Sequence, residues 1–162
     1  MELRDGDLLL RPYVAADLDA LVDALADDEI VRFIPLVPVP YTRADAEAWF
    51  ERCDAMWATG DSCPFGIFGE TTGELLGAIE IRHGGTVGYW IAAGVRGRGI
   101  ATQAVGMVCD WSTDRPLQLM THPDNAASQR VAEKAGFRRI GMAPHLPAFR
   151  DGLAEAVLFQ LD

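Results

Sequence analysis

The chain has 162 residues, 49% of them apolar and 23% charged, with a net charge of −10. That length is read as one domain over residues 1–162 with room for a sizeable core, and the composition excludes a disordered chain. The acidic balance disfavours a nucleic-acid binder, which needs Lys and Arg to displace counterions; it serves solubility alone or suits a cationic acceptor such as an amine.

In chain order, Leu8-Leu9-Leu10-Arg11-Pro12 reads as a short strand ended by a proline. A helix follows near Ala15–Ala26, with Leu18, Leu21, Val22 and Leu25 on one face. Asp27-Asp28-Glu29 leads into a short helical or irregular piece, Ile30–Ile34, and Pro35, Pro38 and Pro40 stiffen the loop beyond it. Thr42 and Asp45 have the spacing of a capping box, with Asp in place of the usual Glu or Gln. The helix they open sets Ala46, Trp49, Phe50, Cys53, Met56 and Trp57 on a buried face, and Gly60 closes it.

The period then changes to strand. Pro64–Glu70 and Leu75–Arg82 flank a hairpin turn at Thr71-Thr72-Gly73-Glu74, and His83-Gly84-Gly85-Thr86 turns into Val87–Ile91, completing an antiparallel meander. A helix at about Gly99–Ser112 faces Ile100, Ala104, Val105, Val108 and Trp111 inward. Leu117–Thr121 is a strand. Ala126–Ala135 is a helix stopped by Gly136, with Phe137 placed for the apolar contact of its cap. Arg138–Met142 and Ala154–Leu161 are two more strands. The helix between Val87–Ile91 and Leu117–Thr121 makes a crossover, so those strands should be parallel. The fold class is α/β (α+β): a mixed, mostly antiparallel central sheet of about six or seven strands with helices on both faces.

The three cysteines, Cys53, Cys63 and Cys109, are odd in number and form no C-x-x-C pair, against a disulfide framework or a zinc site. Cys53 and Cys109 lie on apolar helix faces as small core residues. No pair of His stands at metal spacing, so no metal is expected. No apolar run approaches the length of about 20 residues that spans a membrane, and Met1–Asp5 has no basic stretch leading into an apolar one. The expectation is a cytoplasmic protein with neither a membrane nor a nucleic acid as partner, and a monomer or homodimer.

Val95-Arg96-Gly97-Arg98-Gly99-Ile100-Ala101-Thr102 lies between a strand and a helix. The first turn of a helix offers unpaired N–H groups and a positive dipole end. Glycines let the backbone approach an anion, and Arg96 and Arg98 add positive charge to an acidic chain. A phosphate is the natural guest. A P-loop is excluded because no Lys-Ser or Lys-Thr follows the glycines. A dinucleotide fingerprint is disfavoured because Thr102 holds the third glycine position and the preceding strand belongs to a meander. An Arg/Gly turn without a ligand leaves the order of strand, glycine loop and helix unexplained.

Arg96-Gly97-Arg98-Gly99-Ile100-Ala101 resembles the Q/R-x-x-G-x-G/A phosphate loop of the GCN5-related N-acetyltransferase (GNAT) family. Asn125, Ser128, Val131, Gly136 and Phe137 keep the spacing of that family's second block, and Gly88-Tyr89-Trp90-Ile91 looks like its fourth strand. The opening Leu10-Arg11-Pro12-Tyr13, the segment Asp28–Ile34, and Ile79 and Glu80 after Gly77 are similar to the RimJ/RimL-like branch, which contains protein, antibiotic and small-amine acetyltransferases.

The resemblance implies a GNAT fold with splayed strands 4 and 5, acetyl-CoA as co-substrate and an amine as acceptor. It implies that Tyr89, Trp90 and Ile91 pair with the pantetheine arm, that Arg96, Gly97, Arg98, Gly99, Ile100, Ala101 and Thr102 hold the pyrophosphate, and that Asn125 and Ser128 reach the coenzyme. The Ile91 N–H is the implied oxyanion donor. The chain departs from the family where a Tyr general acid is usual, seven residues after Asn125: that position is Ala132. Ser128, or a water it holds, is the candidate to protonate the leaving thiolate. It is also readable as a plain coenzyme contact or a helix residue bonding its own backbone. Glu80 is the candidate base, possible through water, set against a solvent-facing strand position. Asp28 and Glu29 either line the acceptor mouth or flank a helix, and residues 27–32 and 35–41 shape the pocket. His122 near the splay reads as structural. Cys109, inside a helix with no His near it in sequence, is no nucleophile. Two functional readings follow: N-acetyl transfer from acetyl-CoA, or a catalytically weak coenzyme A-binding module.

Overall fold

These periods resolve into eight strands and five α-helices in the computed structural model, which describes residues 1–162. In chain order they are β1 (Leu3–Asp5), β2 (Leu8–Arg11), α1 (Leu18–Ala24), α2 (Asp28–Phe33), α3 (Arg43–Thr59), β3 (Ser62–Gly69), β4 (Leu75–Arg82), β5 (Thr86–Ile91), α4 (Ile100–Trp111), β6 (Leu117–Thr121), α5 (Ala126–Lys134), β7 (Arg138–Pro144) and β8 (Glu155–Leu161). Short 3-10 turns at Ala15–Asp17 and Ala93–Val95 precede α1 and α4. All strands join one sheet in the order β1-β2-β3-β4-β5-β6-β8-β7. Only the β5–β6 pair is parallel, as the crossover through α4 requires.

The strand absent from the sequence reading is β1. It is a three-residue edge strand with one apolar residue, paired with β2 from Leu3↔Leu10 to Asp5↔Leu8. No alternation announces so short a piece.

Each face of the sheet has its own core. On one, Leu8, Leu10, Phe65, Ile67, Ile79, Val87, Leu119 and Phe159 pack against Ile100, Ala104, Val105 and Val108 of α4 and Ala132 of α5. On the other, Leu18, Leu21 and Leu25 of the α1 region, Ile30 of α2 and Ala46 of α3 pack with Phe68 and Leu75. The expected capping box opens α3: Asp45 accepts from the Thr42 N–H at 2.8 Å and Thr42 Oγ1 from the Asp45 N–H at 3.3 Å. Along α3 only Ala46 and Cys53 are fully buried, while Trp49, Phe50, Met56 and Trp57 are half-buried. The aromatic residues here close the edge of the core instead of filling it. On α4, Cys109 is buried and Trp111 half-buried. Burial pushes the thiol of Cys53 up to about 12 and that of Cys109 to about 11, so neither supplies a thiolate at neutral pH.

Arg11 clamps the exit of β2 to the turn before α1. Its guanidinium meets both carboxylate oxygens of Asp17, at 2.7 and 2.9 Å, and lies over the Phe68 ring. This is a bidentate pair with little exposure, the geometry in which an ion pair is strongest.

The feature that positions the site is the end of β5–β6 pairing. The two strands pair at Thr86↔Gln118 and Val87↔Leu119 and then part. On its other side β5 stays paired with β4 through to Gly77↔Ile91, and β6 stays paired with β8 through to Thr121↔Val157. A gap therefore opens between residues 88–91 and 120–121. Gly77 lets β4 sit close against the end of β5: a Cβ there would lie 2.3 Å from the Trp90 carbonyl oxygen and 3.2 Å from Ile91 Cα. Those are backbone atoms with no freedom to swing aside. Gly77→Ala is expected to lower stability by about 1–3 kcal/mol in thermal or urea denaturation. Gly88→Ala, whose added Cβ meets nothing within 4 Å, should cost far less.

Candidate active site

Strand alternation decides which backbone groups face the gap. The Gly85 carbonyl accepts from the Gln118 N–H toward β6, whereas the Ala92 N–H donates to the Leu76 carbonyl toward β4. Odd-numbered positions of β5 thus turn their backbone groups toward β6, and both groups of Tyr89 and the N–H of Ile91 face the place that β6 has left. In the middle of a sheet such groups need a partner.

The helix side of the gap carries hydroxyls. Tyr89 Oη and Ser128 Oγ lie 2.9 Å apart. Burial pushes the Tyr89 phenol up to about 12, against the opposing pull of Ser128, so the group stays protonated through the neutral range. Ser128 sits in the first turn of α5, and its N–H donates at 3.1 Å to Oδ1 of the N-cap Asn125. Continuing the parallel register places Thr121 across from Tyr89. Thr121 is 3% exposed, and its Oγ1 is buried without a hydrogen-bond partner. A chain with polar amide groups entering the gap would meet the open backbone of β5, so the residues present fit a pantetheine arm. Ala132 is completely buried one turn beyond Ser128 and brings no hydroxyl.

Next to the gap, Gly97 (φ 76°) and Gly99 (φ 80°) take left-handed conformations that other residues resist, with open space around both. Gly99 is the N-cap of α4 and supplies no side-chain acceptor, so the first-turn N–H groups over 100–102 have no capping side chain. Arg98 is exposed and makes no ion pair, leaving its charge available. Arg96 is engaged: its guanidinium pairs with Asp27, and its Nε donates to the Ile91 carbonyl at 3.2 Å.

Glu80 lies on the opposite face of β4 from Ile79 and Ile81, registered with Gly88 of β5. It accepts from the Ser62 hydroxyl and is 3.3 Å from the Arg82 guanidinium. The helix-covered gap and Glu80 are therefore on different faces, joined through the opening in the sheet.

A cavity of about 440 Å³ lies near the far end of β6, lined by two carboxylates, Asp28 and Asp151, two guanidinium groups, Arg32 and Arg150, and Val31, Phe33, Val39 and His122. His122 is 4% exposed. Its Nδ1 accepts from the Asp124 N–H at 3.0 Å, which leaves the proton on Nε2, 2.9 Å from Asp151 Oδ2. Both nitrogens are thus occupied, and His122 orients a carboxylate rather than serving as a base. Asp151 is held below the usual carboxylate range by the Leu153 N–H and by His122. Asp28 accepts no hydrogen bond and no ion pair, and Glu29 is exposed outside the cavity. A wider groove of about 730 Å³ between β1 and α4 gathers no reacting groups near the gap.

Sequence reasoning missed the Tyr89 hydroxyl, Thr121, Asp151 and Arg150. The sequence points to Tyr89 for its backbone alone, and shows Thr121 only as the end of a strand. Asp151 and Arg150 lie in the β7–β8 connection, which has no period to read.

The sequence profile of the acetyltransferase (GNAT) domain matches residues 7–138. The chain belongs to the GNAT acetyltransferase family. The Bacillus subtilis protein YjcK, named a probable N-acetyltransferase, is 33% identical over 90 residues, 49% of this chain and 50% of that protein, so the match spans half the length of that relative. An acetyltransferase structure from Agrobacterium tumefaciens is similar with a TM-score of 0.80 and 26% identity, over 100% of this chain and 94% of that one. Mycobacterium smegmatis RimJ, solved in complex with CoA-disulfide, is similar with a TM-score of 0.85 and 23% identity, over 99% and 85% of the two chains. Its likeness is one of fold. The eight-stranded, mostly antiparallel sheet of this GNAT protein, with helices on both faces, is the arrangement those neighbours share. No helix is long and apolar enough to cross a membrane.

The unpartnered Thr121 hydroxyl generates a direct test. Removing a buried polar atom that has no partner relieves its desolvation cost, about 1–3 kcal/mol. Thr121→Val, nearly the same shape, is expected to raise the melting temperature of the ligand-free protein, as differential scanning calorimetry would record.

Proposed function

We propose that this chain, as one domain over residues 1–162, is an N-acetyltransferase that passes an acetyl group from acetyl-CoA directly to a primary amine, either a protein N-terminus or a small-molecule amine. The observation that carries this reading is the parting of β5 from β6 beside the glycine loop, which opens the backbone of Tyr89 and Ile91 toward a ligand. When bound, acetyl-CoA supplies the activated acetyl group. In this reading Arg96, Gly97, Arg98, Gly99, Ile100, Ala101 and Thr102 hold the pyrophosphate, Arg98 with its free charge and the rest chiefly with backbone. Tyr89, Trp90 and Ile91 align the pantetheine arm, and Asn125 and Ser128 reach it from α5.

Three demands of the chemistry fall on residues of this chain. The attacking amine, ordinarily protonated with a pKa of about 8 to 10.4, has to lose a proton. Glu80 takes it, through water across the opening in the sheet. The Ile91 N–H donates to the oxygen that gains charge as the C–N bond forms. The departing thiolate receives a hydrogen bond from Ser128 or from a water it holds, and the proton given up by the amine balances the one the thiolate takes, so Ser128 ends as the hydroxyl. The Tyr89 phenol, itself kept protonated by burial, supports Ser128 at 2.9 Å. Asp28, exposed and in no ion pair, is the carboxylate of the mixed-charge cavity near β6 that suits an approaching amine. No cysteine enters, since both helix thiols are buried and raised.

The second reading is a coenzyme A-binding module with weak transfer, favoured by the buried Ala132 that brings no hydroxyl to the usual acid position. Thiol release from acetyl-CoA, measured over a panel of N-terminal peptides, polyamines and aminoglycosides, separates the two. The first reading expects amine-dependent release with at least one member; coenzyme binding with no release from any supports the second. Gly99→Glu, which places a carboxylate and a strained backbone in the loop, is expected to weaken coenzyme A binding at least about tenfold by calorimetry. Unchanged affinity would remove the loop from the site.

A further inference from the structure

The six residues of α2 are too few to hold a helix unaided. What fixes them comes from distant parts of the chain. Ile30 and Val31 are buried beneath α2. At its C-terminal end, Arg150 of the β7–β8 connection donates Nε to the Val31 carbonyl at 2.7 Å and reaches the carbonyls of Ile34 and Val37 with Nη2. A cation suits those carbonyls, which lie at the negative end of the helix.

At the N-terminal end the carboxylate of Asp27 is divided between two tasks. Oδ1 accepts from the Glu29 N–H at 3.1 Å, the cap bond of α2. Oδ2 receives the Arg96 guanidinium. Arg96 also donates to the Ile91 carbonyl. One side chain of the glycine loop is thereby tied to the last residue of β5 and to the cap of the helix that supplies Asp28, Val31 and Phe33 to the cavity. The Asp27 and Arg96 side chains are 23% and 39% exposed, so solvent screens the pair less than an open surface contact.

We propose that Asp27 is a positioning residue that couples the two halves of the site: through Arg96, coenzyme A bound at the glycine loop stiffens α2, the wall of the acceptor cavity. This rests on the coenzyme reading of the loop. Once an anion fixes the backbone at 96–102, the Arg96 side chain has fewer places to go, and the helix whose cap it grips loses freedom with it. The coupling is an interaction between sites and runs both ways, so an acceptor that settles α2 also favours the coenzyme.

Hydrogen exchange by mass spectrometry, on the whole chain with and without saturating coenzyme A, tests it. In the parent protein coenzyme A should slow exchange both over 96–102 and over 28–34, the latter by about fivefold. Asp27→Asn keeps an oxygen for the cap but loses the charge that holds Arg96. In that variant coenzyme A should still protect 96–102 while protection of 28–34 is lost. Arg96→Gln approaches the same pair from the other side and should lose it too, with the double variant no worse than either single one. Protection of 28–34 that survives in Asp27→Asn and Arg96→Gln overturns the proposal. So does faster exchange of α2 on binding, which would mean that phosphate draws Arg96 away from Asp27. Absence of protection over 96–102 in the parent would overturn the coenzyme reading itself, and the coupling with it.

Discussion

A central strand in a sheet has its backbone groups claimed from both sides, and β5 breaks that rule. It is paired along its whole length with β4 and for two residues only with β6. Everything at the site follows from where the second partner leaves. The open backbone of Tyr89 and Ile91, the unpaired Thr121 hydroxyl and the Tyr89–Ser128 contact all lie beyond that point. Unsatisfied polar groups in a sheet interior cost energy, and the core on both faces is what makes the opening tolerable. Gly77 and the packing of Val105 and Val108 of α4 against Val87 hold β5 in place where one neighbouring strand has gone.

In the proposed reading the site has a coenzyme half and an acceptor half, and different physics stabilises each. The coenzyme half stands on hydrophobic burial: the glycine loop runs from the buried Val95 to the buried Ile100. The acceptor half stands on polar contacts made over long distances in sequence. Arg150 grips the end of α2, His122 holds Asp151, and Asp27 meets Arg96. Such contacts are individually modest and partly screened. A wall built from them can change shape with a few substitutions while the coenzyme half stays intact. That division matches a family in which one donor serves many acceptors.

Hydrophobic period made most of the fold legible in the sequence. The meander, the crossover helix with Ile100, Ala104, Val105 and Val108 inward, and the caps at Thr42 and Gly136 all follow from local spacing. The β1 strand did not, because three residues carry no period. The glycine turn into α4 was legible at 96–102 because glycine spacing is a local feature, and Gly97 and Gly99 do take left-handed conformations there. The parting of β5 and β6 came from family resemblance alone, since residues 88–91 have the same alternation whether or not a neighbour lies beside them. The polar contacts were hidden for a plainer reason. Tyr89 and Ser128 are 39 positions apart, Asp27 and Arg96 are 69 apart, and His122 and Asp151 are 29 apart. Only the packed sheet brings such pairs together, and Arg96, expected at the pyrophosphate, also meets the cap of α2.

Backbone amide chemical shifts followed by NMR during a titration with coenzyme A test the central claim most directly. Ligand entry at the parting of β5 and β6 predicts that the amides of Tyr89, Ile91, Gly97 and 99–102 move together, while those of β1, β2 and β3 stay in place. Shifts confined to another surface, with Tyr89 and Ile91 unmoved at saturation, would contradict it.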